Sequence, residues 1–318
     1  MYRIHVEHQM SAERARFRDL IERDEIAIAS GAHDPLTARI VDYVDAVDCI
    51  YMTGWGTSIA RTGLPDSGAW TMTEMTEIMS NVTDVVSMPV FADADDGFGD
   101  ALDAARTTRK CIKAGLAGIH IEDERPPKPL VPGSKALPLE TAANKIAAAA
   151  EARDELDDEF TIIARSMAHY PAQFGDAEMD DPIGEAIRRV EAYYEAGADM
   201  VTLTMDSREK YERVRDERGH LPLLVTANFA RLEPREFEEL DVDIVMYPAT
   251  STLATIIGVF ESQSRIAESP AQTTDELYEE LDSLPVTIED IIGYNEQLER
   301  VEKYMPYQLS GLEDTGTF

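Results

Sequence analysis

Two short stretches carry carboxylates at a spacing that suits chemistry. Met88–Gly99 reads MPVFADADDGFG, and Ala117–Asp123 reads AGIHIED. In each, an apolar run ends abruptly in acids: Asp93, Asp95 and Asp96 in one, Glu122 and Asp123 in the other. Apolar runs of this length fit strands buried on both faces, as in a parallel sheet. Carboxylates gathered at neighbouring strand ends repel one another unless a cation sits among them. Hard oxygen ligands favour Mg2+ or Mn2+ over zinc. The competing explanation is a set of acidic loop residues in a chain that is acidic throughout. Their place at strand ends, where parallel barrels keep their active sites, favours the metal.

The elements that must position these acids follow from alternating strand and helix signals. Strands are expected at Ile26–Ser30, Asp48–Thr53, Met88–Asp93, Ala117–Glu122, Phe160–Arg165, Asp199–Thr204, Leu221–Ala227 and Val242–Tyr247, each trailed by a helix. Eight β/α repeats in about 240 residues fit one closed (β/α)8 TIM barrel. A doubly wound open sheet is the rival. Its usual Gly-rich turn is missing, because the first strand is followed by SGAHDP rather than GxGxxG. A helix at Ser11–Arg23 precedes the barrel, and two more, Thr274–Ser283 and Thr287–Lys303, follow it. The chain 1–318 therefore reads as one α/β domain, a barrel over about 24–266 with a helical extension over about 270–318. The extension would cover a neighbour or a partner subunit. The Pro-rich loop Glu124–Pro138 lies at the acidic end, either as a lid or as a stiff excursion.

The C-terminal strand ends converge on one mouth. They bring His33 and Asp34, the run Thr53-Gly54-Trp55-Gly56, His120, Arg165 with Ser166, Thr204, Asn228 with Arg231, and Pro248 with Thr250. A turn such as TGWG offers backbone N–H groups to a carboxylate. Arg165 adds a bidentate grip on the same anion. A divalent cation beside them would stabilise an enolate oxygen. Together these parts describe a site for a small 2-oxo or 2-hydroxy acid. Plainer roles stand beside each: Trp55 as a capping aromatic, His120 as a core histidine, Arg165 as a partner for the barrel acids, Asn228 as a helix cap.

Composition sets the surroundings. Sixty-two acids face 29 bases, of which only seven are Lys, for a net charge of −33. Such a surface repels nucleic acid and anionic membranes. Acid-rich, Lys-poor composition resembles that of cytoplasmic proteins from salt-in halophiles, where high salt screens the self-repulsion. The two cysteines, Cys49 and Cys111, lie in apolar stretches and read as buried free thiols. No signal-peptide core and no bilayer-length apolar stretch is seen, so a cytoplasmic protein is expected.

Several separated motifs in a fixed order carry a family likeness. They are DPLTARIV at Asp34–Val41, TGWG, GLPD at Gly63–Asp66, FADADDGFG at Phe91–Gly99, AGIHIED, PK at Pro127–Lys128, IIAR at Ile162–Arg165 and EAGADM at Glu195–Met200. With them the chain resembles the isocitrate lyase/phosphoenolpyruvate mutase superfamily from about Asp24 to Tyr304. The resemblance implies a (β/α)8 barrel, a homotetramer with C-terminal helices exchanged between subunits, and Mg2+ held near Asp93, Asp95 and Glu122. It implies functional roles for Asp66, Arg165 and the gate-loop Lys128, and His120 is a further catalytic candidate by its place at the strand end. By the same resemblance Thr53, Gly54 and Trp55 would hold the small oxo-acid, while Asn228 and Thr250 are candidate substrate contacts from their strand-end positions alone.

The departures from the family are specific. Its lyases carry a K-[KR]-C-G-H gate loop, where this chain reads Lys128-Pro129-Leu130-Val131-Pro132, without Cys or His. The mutases and phosphonopyruvate hydrolases place Asn where Leu130 stands. Thr204 replaces a Glu of the lyases, and ARTDA becomes ARSMA at Ala164–Ala168. The expected activity is a Mg2+-dependent carbon–carbon lyase on a 2-hydroxy di- or tricarboxylate, methylisocitrate- or isocitrate-like. Oxaloacetate decarboxylation or hydrolysis, phosphonate chemistry, and a non-catalytic dicarboxylate-binding paralogue are the alternatives.

Overall fold

The computed structural model describes residues 2–124, 128, 136–168 and 180–305, the side chains of 2–10 excepted. The elements run α1 (Tyr2–Glu22), β1 (Ala27–Ala32), α2 (Pro35–Asp42), β2 (Cys49–Met52), α3 (Gly54–Thr62), α4 (Met72–Thr83), β3 (Val90–Asp93) and α5 (Ala101–Lys113). Next come β4 (Gly118–Glu122), α6 (Leu139–Leu156), β5 (Thr161–Ser166), α7 (Pro182–Glu195), β6 (Met200–Leu203) and α8 (Arg208–Arg218). Then follow β7 (Leu223–Thr226), α9 (Ala227–Ala230), α10 (Pro234–Glu238), β8 (Ile244–Tyr247) and α11 (Thr250–Ile266). The chain ends in α12 (Pro270–Asp282), α13 (Ile288–Ile292) and α14 (Tyr294–Tyr304).

The eight strands pair in parallel, each with its sequence neighbour, and β8 closes on β1. The expected TIM barrel is what the chain forms. Two compact units are present, Met1–Thr255 and Ile256–Phe318, and their division falls within α11. No helix among the described residues is long and apolar enough to cross a membrane.

A barrel strand alternates between two environments, because successive side chains point to opposite faces. On β2, Ile50 and Met52 join the outer core beneath the helices, while Cys49 and Tyr51 point inward. On β3, Val90 and Ala92 pack outward and Phe91 inward. The inner cluster is completed at one end by Phe17 of α1, whose ring lies 5.3 Å from that of Phe91. Arg14 ties the same helix down through Leu116 O at 2.9 Å and Ile112 O at 2.6 Å. From Phe91 an aromatic column continues to Tyr51, at 5.0 Å, and on to His120, at 5.5 Å. Apolar side chains fill one end of the barrel, so its ionisable interior groups gather at the other.

Several elements differ from the sequence expectation: α1 begins at Tyr2 rather than Ser11, and α12 at Pro270 rather than Thr274. Residues 54–62 form a helix where a turn was expected, and α9 follows β7 directly. Two glycines in the first turn of α3 hide its periodicity, while four residues of α9 are too few to show one. The expected helix Thr287–Lys303 is two helices, broken at Gly293, whose φ of 66° is the left-handed value that ends α13. In the C-terminal unit, Arg265 pairs with Glu276 and Glu280 at 3.4 and 3.1 Å. Many of its large apolar side chains, Phe260 and Tyr278 among them, are exposed.

Candidate active site

Strand register brings the ionisable residues together. Asp93 on β3 lies opposite His120 on β4, and Glu122 on β4 opposite Arg165 on β5. All four occupy inward positions of the alternation. His120 Nε2 lies 2.9 Å from Asp93 Oδ1, and Arg165 Nη1 lies 3.4 Å from Glu122 Oε2. Tyr51, one strand over, donates its hydroxyl to Asp93 Oδ2 at 3.3 Å. Asp93, His120 and Glu122 each offer a buried ligand atom, all within 4.8 Å of one another.

Lys128 completes the cluster. Its ammonium sits 2.8 Å from Glu122 Oε1 and 3.7 Å from Asp66 Oδ2, and it pairs closely with Asp95. Burial works against this charge. The carboxylates of Glu122, Asp93, Asp95 and Asp66 outweigh burial and hold Lys128 well above the ordinary lysine range. Burial raises Asp95 to about 7, with Lys128 pulling it down and Asp93 and Glu122 pushing it further up. Burial also opposes the charge on Asp93, but His120 and Lys128 win, so its carboxyl stays well below the usual value. Asp66 is raised, chiefly by burial.

The turn after β3 is built to present Asp95. Asp95, Gly97, Phe98 and Gly99 all have positive φ, at 47°, 84°, 61° and 150°. Glycine adopts such angles freely, but at Asp95 and Phe98 they store strain that the surroundings must hold. The Asp95 amide donates to Asp93 Oδ1 at 3.0 Å, and a Cβ at Gly97 would press on Ala104 at 3.0 Å. Asp100 ends the turn by capping α5, accepting from the amides of Leu102 and Asp103.

Thr53-Gly54-Trp55-Gly56 is the start of α3 rather than a free turn. Thr53 is its N-cap and accepts from the Gly56 amide at 3.3 Å. A Cβ at Gly54 would stand 2.5 Å from Asp93 Oδ2, so only glycine lets this helix end approach the acid. Asp66 is steered by Ser58, whose hydroxyl lies 3.3 Å from its Oδ1 and accepts from Trp70 Nε1 at 2.6 Å.

The structure sorts the remaining candidates. Asp96 turns to Lys145, which donates to its Oδ2 at 2.8 Å and to its carbonyl at 2.6 Å. Asp123 faces outward into Ser166, Tyr193, Arg189 and the Met167 amide. Neither belongs to the central group, so five mouth acids reduce to three, joined by Asp66. Asp34 caps α2, and His33 lies against Ser251 and Thr252. Trp55 is about one-third exposed, at 38%. Asn228 on α9 and Thr250 at the start of α11 are exposed, and no described hydrogen bond joins them to the acids. Cys49 and Cys111 are buried, and burial pushes the Cys111 thiol up to about 12. Of the expected gate-loop run, Lys128 alone is described; Pro129, Leu130, Val131 and Pro132 lie outside the described residues. Sequence reasoning missed Tyr51, two residues before Thr53; its inward phase on β2 was the available signal. Beside Asp95 a cleft of about 480 Å3 opens, lined among others by Trp70, Phe98 and Arg106.

Residues 17–267 match the phosphoenolpyruvate phosphomutase family. The chain belongs to that family. Among its phosphoenolpyruvate phosphomutase-family relatives is 2,3-dimethylmalate lyase of Eubacterium barkeri, 35% identical over 74% of this chain and 80% of that one. A second is 2-methylisocitrate lyase of Bacillus subtilis, 31% identical over 83% and 87% of the two chains. Among solved structures, phosphonopyruvate hydrolase in complex with oxalate and Mg2+ superposes with a TM-score of 0.76 at 27% identity. That match covers 92% of this chain and 99% of the other. The family's barrel enzymes thus include lyases and a hydrolase of small carboxylic acids.

The donor set fits a hard divalent cation. Asp93, Asp95 and Glu122 supply oxygens, and Glu122 Oε1 is buried without a well-formed hydrogen bond. One cationic group, the Lys128 ammonium, already occupies the middle of the cluster.

Proposed function

We propose that this phosphoenolpyruvate phosphomutase-family chain is a Mg2+-dependent carbon–carbon lyase. Its substrate would be a 2-hydroxy di- or tricarboxylate of the methylisocitrate or isocitrate kind, cleaved through an enolate. The observation that carries the proposal is the cation seat itself: Lys128 held by Asp95, Glu122 and Asp66 within reach of Arg165 on the next strand. Asp93, Asp95 and Glu122 would hold Mg2+ or Mn2+. When bound, the ion would stabilise negative charge developing on the substrate oxygen.

The chain's own groups divide the remaining work. Arg165 and the N-terminal amides of α3 bind a carboxylate, the arginine as a fork and the amides as a positive helix end. Asp66, raised by burial and steered by Ser58, would serve as the base for the hydroxyl proton. Proton return falls to Lys128, His120 or a water. Both cysteines of the chain are buried and held protonated, which leaves no thiol for that step. The same absence favours a second reading, hydrolysis or decarboxylation of a 2-oxo acid on the same enolate platform.

A panel of 2-hydroxy and 2-oxo acids assayed with Mg2+ in molar KCl tests the proposal. Cleavage of a hydroxy acid is expected. Release from oxaloacetate alone would select the second reading, and no turnover at all would leave a binding protein. Calorimetry with Mg2+ and oxalate checks the ion's ligands independently: Asp95→Ala should weaken both, and equal affinity in the variant would refute the assignment. We further propose a cytoplasmic homotetramer adapted to high salt. The exposed apolar side chains of the C-terminal unit support subunit exchange, and the acidic surface supports the salt requirement.

A further inference from the structure

The turn that presents Asp95 is pinned one peptide at a time. The Asp95 amide donates to Asp93 Oδ1 at 3.0 Å, which fixes the plane before it. The Asp95 carbonyl accepts from the Glu122 amide at 2.8 Å, which fixes the plane after it. The Asp96 carbonyl then accepts from Lys145 Nζ at 2.6 Å, and the Gly97 carbonyl from the Thr107 hydroxyl at 3.1 Å. The first two partners belong to the strands of the mouth. Lys145 and Thr107 reach the turn from outside the strands, on α6 and α5.

Lys145 is an odd occupant of its helix face. The other buried side chains of α6 are four alanines and Ile146, and Lys145 is itself only 3% exposed. A buried ion pair adds little to stability over a well-packed apolar side chain, so packing alone does not call for an ammonium here. An apolar side chain could not hold a carbonyl, however. Lys145 grips Asp96 twice, through that carbonyl and through Oδ2 at 2.8 Å, while Asp96 Oδ1 accepts from the Phe98 amide at 3.1 Å. Asp96 thus lies between Asp95 and Phe98, the two residues of the turn that adopt left-handed angles without being glycine. Such angles persist only where the surroundings over-determine them. No described hydrogen bond or ion pair joins Lys145 to Asp93, Asp95 or Glu122, and its charge is balanced by Asp96.

Resting on the metal reading of the site, we propose that Lys145 is a positioning residue for Asp95. Its ammonium acts through Asp96, from outside the mouth, and holds residues 93–99 in the strained form that keeps the Asp95 carboxylate beside Glu122 and Asp93. Without that ammonium the turn relaxes toward ordinary angles at Asp95 and Phe98, and the carboxylate leaves the seat.

Mg2+ calorimetry on the full chain, run beside denaturant unfolding, separates positioning from stability. Lys145→Met keeps the stem and removes the donor, and it is expected to weaken Mg2+ binding at least tenfold. Removing a nearby positive charge would by itself tighten a divalent cation, so a weakening reports geometry rather than charge. In the metal-free protein the amides of residues 95–99 should exchange with deuterium at least tenfold faster, with those of β2 unchanged. Lys145→Arg, which keeps a cationic donor, should recover Mg2+ affinity to within threefold of the parent. A Lys145→Met protein that unfolds at lower denaturant yet binds Mg2+ within twofold of the parent would show a merely structural lysine and overturn the proposal. Should Lys145→Met not fold, Lys145→Gln, which leaves Asp96 a polar neighbour, carries the same test: several-fold weaker Mg2+ binding is expected, and an unchanged affinity overturns the proposal. Failure of the parent itself to bind Mg2+ would instead remove the metal assignment, and this proposal with it.

Discussion

Glu122 and Asp123 are consecutive residues with opposite fates. Glu122 ends β4 facing inward, where its Oε1 meets Lys128 and finds no well-formed hydrogen bond. Asp123 faces outward and accepts from Ser166, Tyr193 and the Met167 amide, at 2.9, 2.8 and 2.7 Å, with Arg189 beside it at 3.3 Å. Burial raises the Asp123 carboxyl, and these donors pull it back. One acid is satisfied and ties β4, β5 and α7 together. The other is crowded among like charges with a single ammonium in their midst. A carboxylate whose needs are fully met serves stability, whereas one left short is available to a ligand.

The comparison can be broken most decisively at Asp123. Asp123→Ala removes the acceptor shared by the buried Tyr193 and Ser166 hydroxyls and the Met167 amide, so it should cost about 3–5 kcal/mol of stability, read as a lower denaturant midpoint. A loss under about 1 kcal/mol would mean that the network does not hold the barrel.

Lys128→Ala should act in the other sense. Turnover should fall about 100-fold, equivalent to about 2.7 kcal/mol, because the cluster loses the ammonium that joins Asp95, Glu122 and Asp66. Without Mg2+ the variant should also melt lower than the parent, since its acids repel, and added Mg2+ should restore most of the loss. Full activity in this variant would detach Lys128 from the chemistry.

Salt distinguishes the buried cluster from the surface. Screening shortens from about 10 Å at 0.1 M to about 3 Å at 1 M, which relieves exposed repulsion and barely touches buried pairs. With a net charge of −33, the melting temperature should rise by several degrees into molar KCl. The Asp123→Ala deficit should stay constant over the same range. A flat melting temperature would exclude the high-salt adaptation.

The smallest effect is expected at the thiols. A folded Cys49→Ser, Cys111→Ser double variant should keep its turnover within about twofold, and iodoacetamide should leave the native protein active. Rapid inactivation by iodoacetamide would place an accessible thiol in the reaction.

Much of the fold was legible in the chain because it is written in local patterns. Apolar runs such as VFA and IHI, the acids that end them, and the regular spacing of β/α units are all properties of neighbouring residues, and they led to a closed parallel barrel. Helix α3 was not legible, because its first turn carries two glycines whose use emerges only where Gly54 meets Asp93. The break at Gly293 was likewise hidden inside a helical pattern.

By itself, the sequence determined that carboxylates would crowd one end of a barrel, that the surface would be strongly acidic, and that both thiols would be buried. Only the tertiary structure decided which carboxylates share a cavity. Inward or outward phase on a strand can be read locally, but partners come from register between strands and from loops distant in the chain. That is why Asp96 found Lys145 and Asp123 found Arg189, while Asp66 and Lys128 met across 61 intervening positions. The inward facing of Thr202 and Thr204 has the same origin: both are ordinary strand-end residues until closure of the sheet turns them inward, Thr202 beside Arg165, and leaves their hydroxyls without partners among the described residues.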